Sequence, residues 1–486
     1  MRSLLTQHGS VAAPCQPDKA SVPASAIALV FILAFSILAI AITTRGPKWL
    51  NDFDQSFYLT IAHDLNRHGV FSNGPFDEVD STTLKPPPGM FFGPLYPALI
   101  AGVMKLDRRF AESVTCAVEN SAGKREGSEC EIYVRPMHLL HGLLLALGVA
   151  SIAWAAFLIF SSRPVLWLAG GLATAALVTE AELFSFLMTE SLSFSLYSLA
   201  TLAIMLGARS GTRITIVVAG ILTGLLCLGR PSFLVLVPFF ALLILVGRFF
   251  WAPSGRISWP AHGLAFVMGA ALVVTPWLVR NYVSVGKLGF TEEYGSAALI
   301  ERFAFNDMTV REYVLAFPYC VPALGPTLVS RIAGASSMDR FQWDAQNSFF
   351  QQGRAQRLKL VATHGSLDAV MRQLLAAEMA ENGLRHLLVS VPLAWCGMWV
   401  GGLLALLLVP LFWWACVRAP WHTSRQLLAY GAAGLVMLAL HGLVANHYPR
   451  YNLILIGPFS VAAAWMLLSF VRPSIRLKPA APRLPQ

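Results

Sequence analysis

The sequence predicts an all-α integral membrane fold. It is a polytopic bundle of about ten transmembrane helices, with external juxtamembrane helices and an external helical insertion in its C-terminal half. Three observations predict it. Hydrophobic residues make up 56% of the 486 and charged residues only 13%, where a soluble globular chain carries about 25% charged residues. The mean hydropathy is +0.60. Apolar runs of roughly 20 residues, the length that crosses a bilayer core, recur along the chain. The net charge of +10 does not point to nucleic acid, because the basic residues are spread over short loops and the tail rather than gathered in one patch.

Residues 1–24 are polar, with Pro14, Pro17, Pro23 and Lys19, and are expected to form a cytoplasmic tail. The first span is placed at 25–43; no small-residue cleavage pattern follows it directly, so it reads as an uncleaved anchor. A first external loop occupies 44–133, where juxtamembrane helices are expected. Spans at 134–160, 165–181, 183–206, 214–229, 231–247 and 262–279 make up a transmembrane bundle, 134–279. Glu180, Glu182 and Glu190 interrupt 165–206, which leaves the span count there open. Residues 280–392 are expected as a second external helical region, since the spacing of Phe341, Ala345 and Phe349 with Arg354 and Arg357 suits amphipathic helices. The C-terminal helices, 393–470, hold spans at 393–417, 426–445 and 451–470, before a cytoplasmic tail at 471–486.

Positive charge sets the orientation. With a cytoplasmic N-terminus, the inner loops hold Arg163, Arg209, Arg213, Arg248, Arg256, Arg418 and Arg425, while the opposite loops, near Glu180, Arg230 and His447, are poorer in Lys and Arg. Both large loops then lie outside. Of seven cysteines, Cys227, Cys396 and Cys416 fall in apolar runs and read as small hydrophobes. Cys116 and Cys130 flank a polar loop; facing an oxidising compartment they can form a disulfide, and otherwise they are two free thiols.

On this topology the notable polar residues collect at external helix ends. A transporter more often keeps its coupling charges near the midplane. Charges at an interface suit a reaction between a lipid-borne substrate and a group beyond the membrane. Asp54 is the candidate base, because low local dielectric raises a carboxylate's pKa toward a useful range. Equally, Asp52 or Asp54 can simply cap a helix starting near Gln55. Lys85, Arg230, Arg280 and Arg450 suit phosphate, Arg as a bidentate fork and Lys as a point charge; the alternative is snorkelling to the interface. Glu190, nearly inside a span, is costly there unless paired or functional. His138 and His141 lie three apart on one helix face and read as polar packing rather than metal ligands. No Gly-rich phosphate loop of familiar spacing occurs.

The series Asp54, Tyr58, Ile61-Ala62, Leu65 and Gly69, then Pro94-Leu-Tyr-Pro97, resembles the first external loop of the GT-C superfamily of membrane glycosyltransferases. The likeness is to the polyprenyl-phosphate-sugar-dependent, glycosyltransferase family 39-like enzymes, which include the protein O-mannosyltransferases and the aminoarabinose transferases. Thr189-Glu190, Gly229-Arg230-Pro231, Thr275-Pro-Trp-Leu-Val-Arg-Asn-Tyr282 and Arg450-Tyr451 before Pro458 follow in order, so that the resemblance covers 25–300 and 440–470.

It implies Asp54 as the catalytic carboxylate; Asp52, Tyr58, Lys85, Glu190, Arg230, Arg280 and Arg450 are the residues expected on the substrates. Gln55 stands where many members have Glu, so a paired carboxylate for a metal is absent there; no cofactor is assigned, and a divalent metal is left open. The implied activity is inverting transfer of a sugar from a polyprenyl-phosphate carrier to a hydroxyl or amine acceptor. That acceptor would be lipopolysaccharide, another cell-envelope glycan or a protein, on the external, periplasmic face of a bacterial inner membrane. The expected partners are the lipid-linked donor, the acceptor and membrane lipids, without nucleic acid. A rival of another class is a non-enzymatic flippase or exporter of lipid-linked sugars, which would line a path across the membrane with ionisable residues and tolerate loss of Asp54.

Overall fold

The computed structural model describes residues 24–46, 50, 54–74, 85–121, 130–251, 258–334, 336–445 and 448–471. Asp52, His447 and the two tails expected at 1–24 and 471–486 lie outside these residues, except Ala24 and Val471. Among the described residues all regular structure is helical. Helix α1 (Ala24–Thr43) leads to a juxtamembrane group of α2 (Gln55–His68), α3 (Leu95–Leu106) and α4 (Arg108–Ser121). The bundle follows: α5 (Arg135–Phe160), α6 (Arg163–Thr179), the short α7 (Ala181–Ser185), α8 (Glu190–Ser210), α9 (Arg213–Gly229), α10 (Leu236–Leu245) and α11 (Trp259–Val285). Then come α12 (Tyr294–Phe303), α13 (Val310–Tyr319), α14 (Gly325–Ala333), α15 (Ser336–Asp339) and α16 (Phe349–His364). Helices α17 (Leu367–Met398), α18 (Ala405–Arg418), α19 (Trp421–Val444) and α20 (Ile456–Val471) close the chain.

The chain is an integral, multi-pass membrane protein, and helix length and apolarity by themselves mark fewer than the expected ten or so spans. Six helices among the described residues are long and apolar enough to cross, or up to seven if α17 and α18, bent by 114° at a short break, form one broken span. The runs expected at 165–181, 214–229 and 231–247 are helical but only 10–17 residues long. At 1.5 Å per residue such a helix reaches at most about 26 Å, short of a core about 30 Å thick. The bend between α17 and α18 has a local cause. Gly401 and Gly402 take φ of 92° and 57°, a left-handed backbone that favours residues without Cβ. The carboxylate of Glu180, one of the residues that interrupt 165–206, accepts from the N–H groups of both glycines.

The boundaries expected at 280 and 392 fall inside helices, because α11 runs on to Val285 and α17 is continuous from Leu367 to Met398. Between them, α12 to α16 form a layer that packs on α17 through two small apolar clusters, one around Phe305, Phe341, Phe349 and Leu393 and another around Ile300 and Leu367. Arg302 of α12, fully buried, fastens this layer to the bundle. Its guanidinium donates to Gly442 O at 2.8 Å, to Asn306 Oδ1 at 3.0 Å, and to His386 O and Ser390 Oγ at 3.1 and 3.0 Å. A disulfide joins Cys116 to Cys130 at the end of α4. A second joins Cys320, after α13, to Cys396 of α17. Cys396 is therefore not the free apolar filler that its sequence neighbourhood suggests.

Candidate active site

The juxtamembrane group is built where residues 71–74 meet residues 89–92. Gly89 N–H donates to Phe71 O at 2.8 Å, and Asn73 Oδ1 accepts from the N–H groups of Met90 and Phe91 at 2.7 and 3.0 Å. Gly89 is required by close approach, since a Cβ there would lie 2.0 Å from Asn73 Oδ1. Arg280 of α11 completes the clamp. It donates to Phe71 O at 2.7 Å and to Gly89 O, and its guanidinium lies over the Trp277 ring at 5.0 Å. Three of its N–H groups thus serve the loop and its own helix, the third donating to Asn281 Oδ1 at 3.0 Å. Lys85, at the start of the proline-rich return, is exposed and does not line the cavity described below. What the return does bring to that cavity is Phe91 and Phe92.

Four charged residues meet where helices end. Asp54 sits at the N-cap position of α2 but makes no capping hydrogen bond with its side chain; its Oδ2 faces Arg450 Nη2 at 3.7 Å. Glu190 opens α8, and its Oε1 faces Nη1 of Arg230, the residue that ends α9, at 3.7 Å. Both guanidiniums rest on one ring: Arg230 lies 4.7 Å and Arg450 5.2 Å from the centre of Tyr451, close enough for cation–π attraction. Tyr58 is buried beside them, edge-on to Tyr96 at 5.2 Å and tilted on Phe92 at 5.0 Å. Gln55, fully buried, accepts from Leu187 N–H at 3.2 Å and so ties α2 to the segment that leads into α8. A neutral amide can occupy that place without the desolvation that a carboxylate would suffer.

Asp54, Arg230, Arg450 and Tyr451 line a cavity of about 770 Å³, within the range typical of ligand sites. Helices α12 and α16 supply its outer wall with Tyr294, Glu301, Phe350, Arg354 and Arg357, and Trp343 joins them. A recess of about 10 Å³, room for a single water or hydroxyl, opens between Asp54, Tyr58, Thr189, Glu190 and Arg230. Glu190 is 6% exposed, and its Oε2 has no hydrogen-bond partner among the described residues. The Asp54 side chain keeps 41% of its surface open, toward the cavity, and is otherwise packed in protein. That desolvation raises its carboxyl above the ordinary aspartate value; Arg450 opposes the shift, Glu190 adds to it and Arg230 opposes it.

The two bundle histidines bond to the protein itself. His138 Nε2 pairs with Ser185 O at 2.9 Å, and His141 pairs with Phe184 O at 2.8 Å and the Tyr96 hydroxyl at 2.9 Å. Among the described residues, no three His, Cys, Asp or Glu side chains come together to hold a metal. Asp54 and Glu190 each face an arginine, so this donor set does not fit a divalent ion. Sequence reasoning missed the outer wall. The amphipathic spacing of Phe341 to Arg357 was its only signal, and that spacing does not tell which face covers a cavity.

No protein-family model matches the chain, and no curated protein matches it in sequence. Solved structures similar to it include ArnT from Cupriavidus metallidurans bound to undecaprenyl phosphate, at 12% identity and a TM-score of 0.48 over 93% of this chain and 62% of that one. An oligosaccharyltransferase from Archaeoglobus fulgidus, in complex with Zn and sulfate, matches at 12% identity and a TM-score of 0.48 over 91% of this chain and 49% of that one. The archaeal oligosaccharyltransferase AglB from Archaeoglobus fulgidus, with an inhibitory peptide and a dolichol-phosphate, matches at 11% and 0.47 over 92% and 50%. The chain therefore spans between about half and 62% of the length of these structures. At these TM-scores the likeness carries no further argument.

Proposed function

We propose that the chain is an inverting membrane glycosyltransferase of GT-C type. It would move a sugar from a polyprenyl-phosphate carrier to a hydroxyl or amine acceptor on the external, periplasmic face of a bacterial inner membrane. The observation that carries the reading is Asp54: a carboxylate not used as a helix cap, raised in pKa by desolvation, and facing Arg450 at 3.7 Å in the wall of a large cavity. A base for a hydroxyl needs that combination of access and raised proton affinity.

In this mechanism Asp54 takes the acceptor proton as the acceptor oxygen attacks the anomeric carbon. The bond from that carbon to the phosphate oxygen breaks, and the carrier phosphate departs with the bonding pair. Arg230 and Arg450 lie beside Asp54 and would stabilise the charge that grows on the phosphate. A phosphate leaving group needs no proton donor, so one carboxylate suffices where glycoside hydrolysis uses two. Glu190 would hold Arg230 in place, and Tyr58 would shape the recess for the attacking group. At 3.7 Å neither guanidinium is hydrogen-bonded to its facing carboxylate, so both pairs can rearrange when a phosphate binds, as expected before substrate tightens a site.

The test is transfer from a labelled polyprenyl-phosphate sugar by the purified protein in nanodiscs. Asp54→Asn should lower the rate by ~10²-fold or more; undiminished transfer would remove Asp54 as base. If wild-type protein transfers no sugar to lipopolysaccharide, envelope glycan or protein but scrambles the lipid-linked sugar between leaflets, the flippase reading replaces this one.

A further inference from the structure

We propose that the outer half of the cavity is an acceptor subsite for an acidic sugar, held by Arg354 and Arg357 and seated on the stacked rings of Trp343 and Phe350. The word acceptor rests on the transferase reading above; the binding chemistry does not.

The two halves of the cavity are built differently. Ends of the bundle helices supply the inner half, where each arginine already faces a carboxylate. The outer half comes from the layer packed on the bundle. There, Arg357 Nε meets Glu301 Oε1 at 3.1 Å. Arg354 stands one turn away on the same helix face, lines the cavity, is exposed, and has no hydrogen bond or ion pair among the described residues. Counting histidine as neutral, four arginines line the cavity against two carboxylates, Asp54 and Glu301. Glu190, just outside this lining, faces Arg230 and offsets the inner surplus, so the positive charge left without a facing carboxylate is Arg354 in the outer half, and it calls for an anion.

Trp343 and Phe350 stack at 3.5 Å with 20° between their planes, and the Tyr448 ring meets Trp343 at 5.0 Å. Trp343 is half-buried, so the pair is held rigid while part of the indole faces the cavity. The electron-rich face of an aromatic ring attracts the polarised C–H groups on the apolar face of a sugar. The planar donors of an arginine suit hydroxyls and a phosphate or carboxylate at the sugar's edge. A rigid ring platform beside an unpaired guanidinium is thus suited to a sugar that carries a negative charge. A carrier lipid keeps its own phosphate at membrane level, beside Arg230 and Arg450. The outer layer is where a ligand from the water side would arrive.

The experiment is binding to full-length protein in nanodiscs of zwitterionic lipid, followed by saturation-transfer NMR. The probes are glucose 6-phosphate, glucose, inorganic phosphate and a triglutamate peptide. Glucose 6-phosphate should bind about tenfold more tightly than glucose or phosphate alone, and Arg354→Gln should remove about tenfold of that affinity. Trp343→Ala should weaken both sugars and spare phosphate. Asp54→Asn removes a negative charge from the same cavity and should weaken binding of none of the four, so loss of the transferase reading would not by itself remove the subsite. The Arg354 variant, changed at an exposed side chain, should melt as wild type does, and Trp343→Ala is compared below its own melting transition. The proposal is overturned if Arg354→Gln binds glucose 6-phosphate as wild type does, or if phosphate alone or the peptide binds as tightly. It is also overturned if undecaprenyl phosphate competes glucose 6-phosphate away, since the anion would then belong to the donor.

Discussion

Arg450 holds its guanidinium 3.7 Å from the carboxylate of Asp54 and thereby works against the desolvation that raises the Asp54 pKa. The balance predicts a pH profile. Asp54 acts as a base only when ionised, so kcat/KM should rise with pH through a limb above the ordinary aspartate value of about 3.9. Arg450 favours the ionised form. Arg450→Gln should therefore move the limb to higher pH, independently of any loss in the plateau rate. A limb that stays in place or moves down would show that this pair does not control the base.

The second pair, Glu190 with Arg230, is more deeply set, with side-chain exposures of 6% and 13%. Removing one partner strands a charge in a poorly solvated place. Glu190→Ala is expected to cost about 3 kcal/mol, read as a lower melting temperature in detergent. Replacing both residues with Met should recover stability relative to either single change, because no buried charge remains. Equal losses in the double and single variants would mean that the two residues do not act as a pair.

Much of the fold was legible because membrane helices announce themselves by composition. Each of the ten apolar runs, from 25–43 to 451–470, carries helix, with 183–206 and 393–417 broken part-way. Their lengths were less legible, since the polar break around Glu180 and the bend at Gly401 depend on what each packs against. The site was legible where residues lie at helix ends: Asp54, Glu190, Arg230 and Arg450 do come together. Arg280 shows the limit. A sequence reveals an arginine at a helix end, but not that Phe71 O and Gly89 O will claim its donors. Likewise the Cys320–Cys396 disulfide spans 76 residues and is created by the layer docking on α17, which no local pattern encodes.

Arg280 also gives a prediction that separates holding the loop from binding substrate. If its role is the clamp, Arg280→Gln and Gly89→Ala should have the same effect, although only one changes charge. Gly89→Ala would push Asn73 off the N–H groups of Met90 and Phe91, leaving buried donors at a cost of about 2 kcal/mol. Both variants should become cleavable between α2 and α3 by limited proteolysis and lose activity together. An Arg280→Gln variant that resists protease like wild type but loses activity would return Arg280 to the substrate.

The last prediction concerns the layer that forms the outer wall. Arg302 spends its donors on Gly442 O of α19, His386 O and Ser390 Oγ of α17, and Asn306 Oδ1 beside its own helix. Asn306 in turn donates to Glu378 Oε1 at 2.7 Å, and His386 Nε2 pairs with Leu443 O at 2.9 Å, so the network has few spare partners. Arg302→Met keeps much of the volume and removes every donor, leaving several buried acceptors unmatched at roughly 1 to 3 kcal/mol each. The bundle has its own apolar core and does not depend on this arginine. Heating the variant should therefore release the layer first. Hydrogen exchange across α12 and α16 would accelerate well below the temperature at which α5 and α8 exchange, whereas in wild type the layer and the bundle should open much closer together. If the variant melts as one unit at the wild-type temperature, the Arg302 network does not hold the outer wall in place.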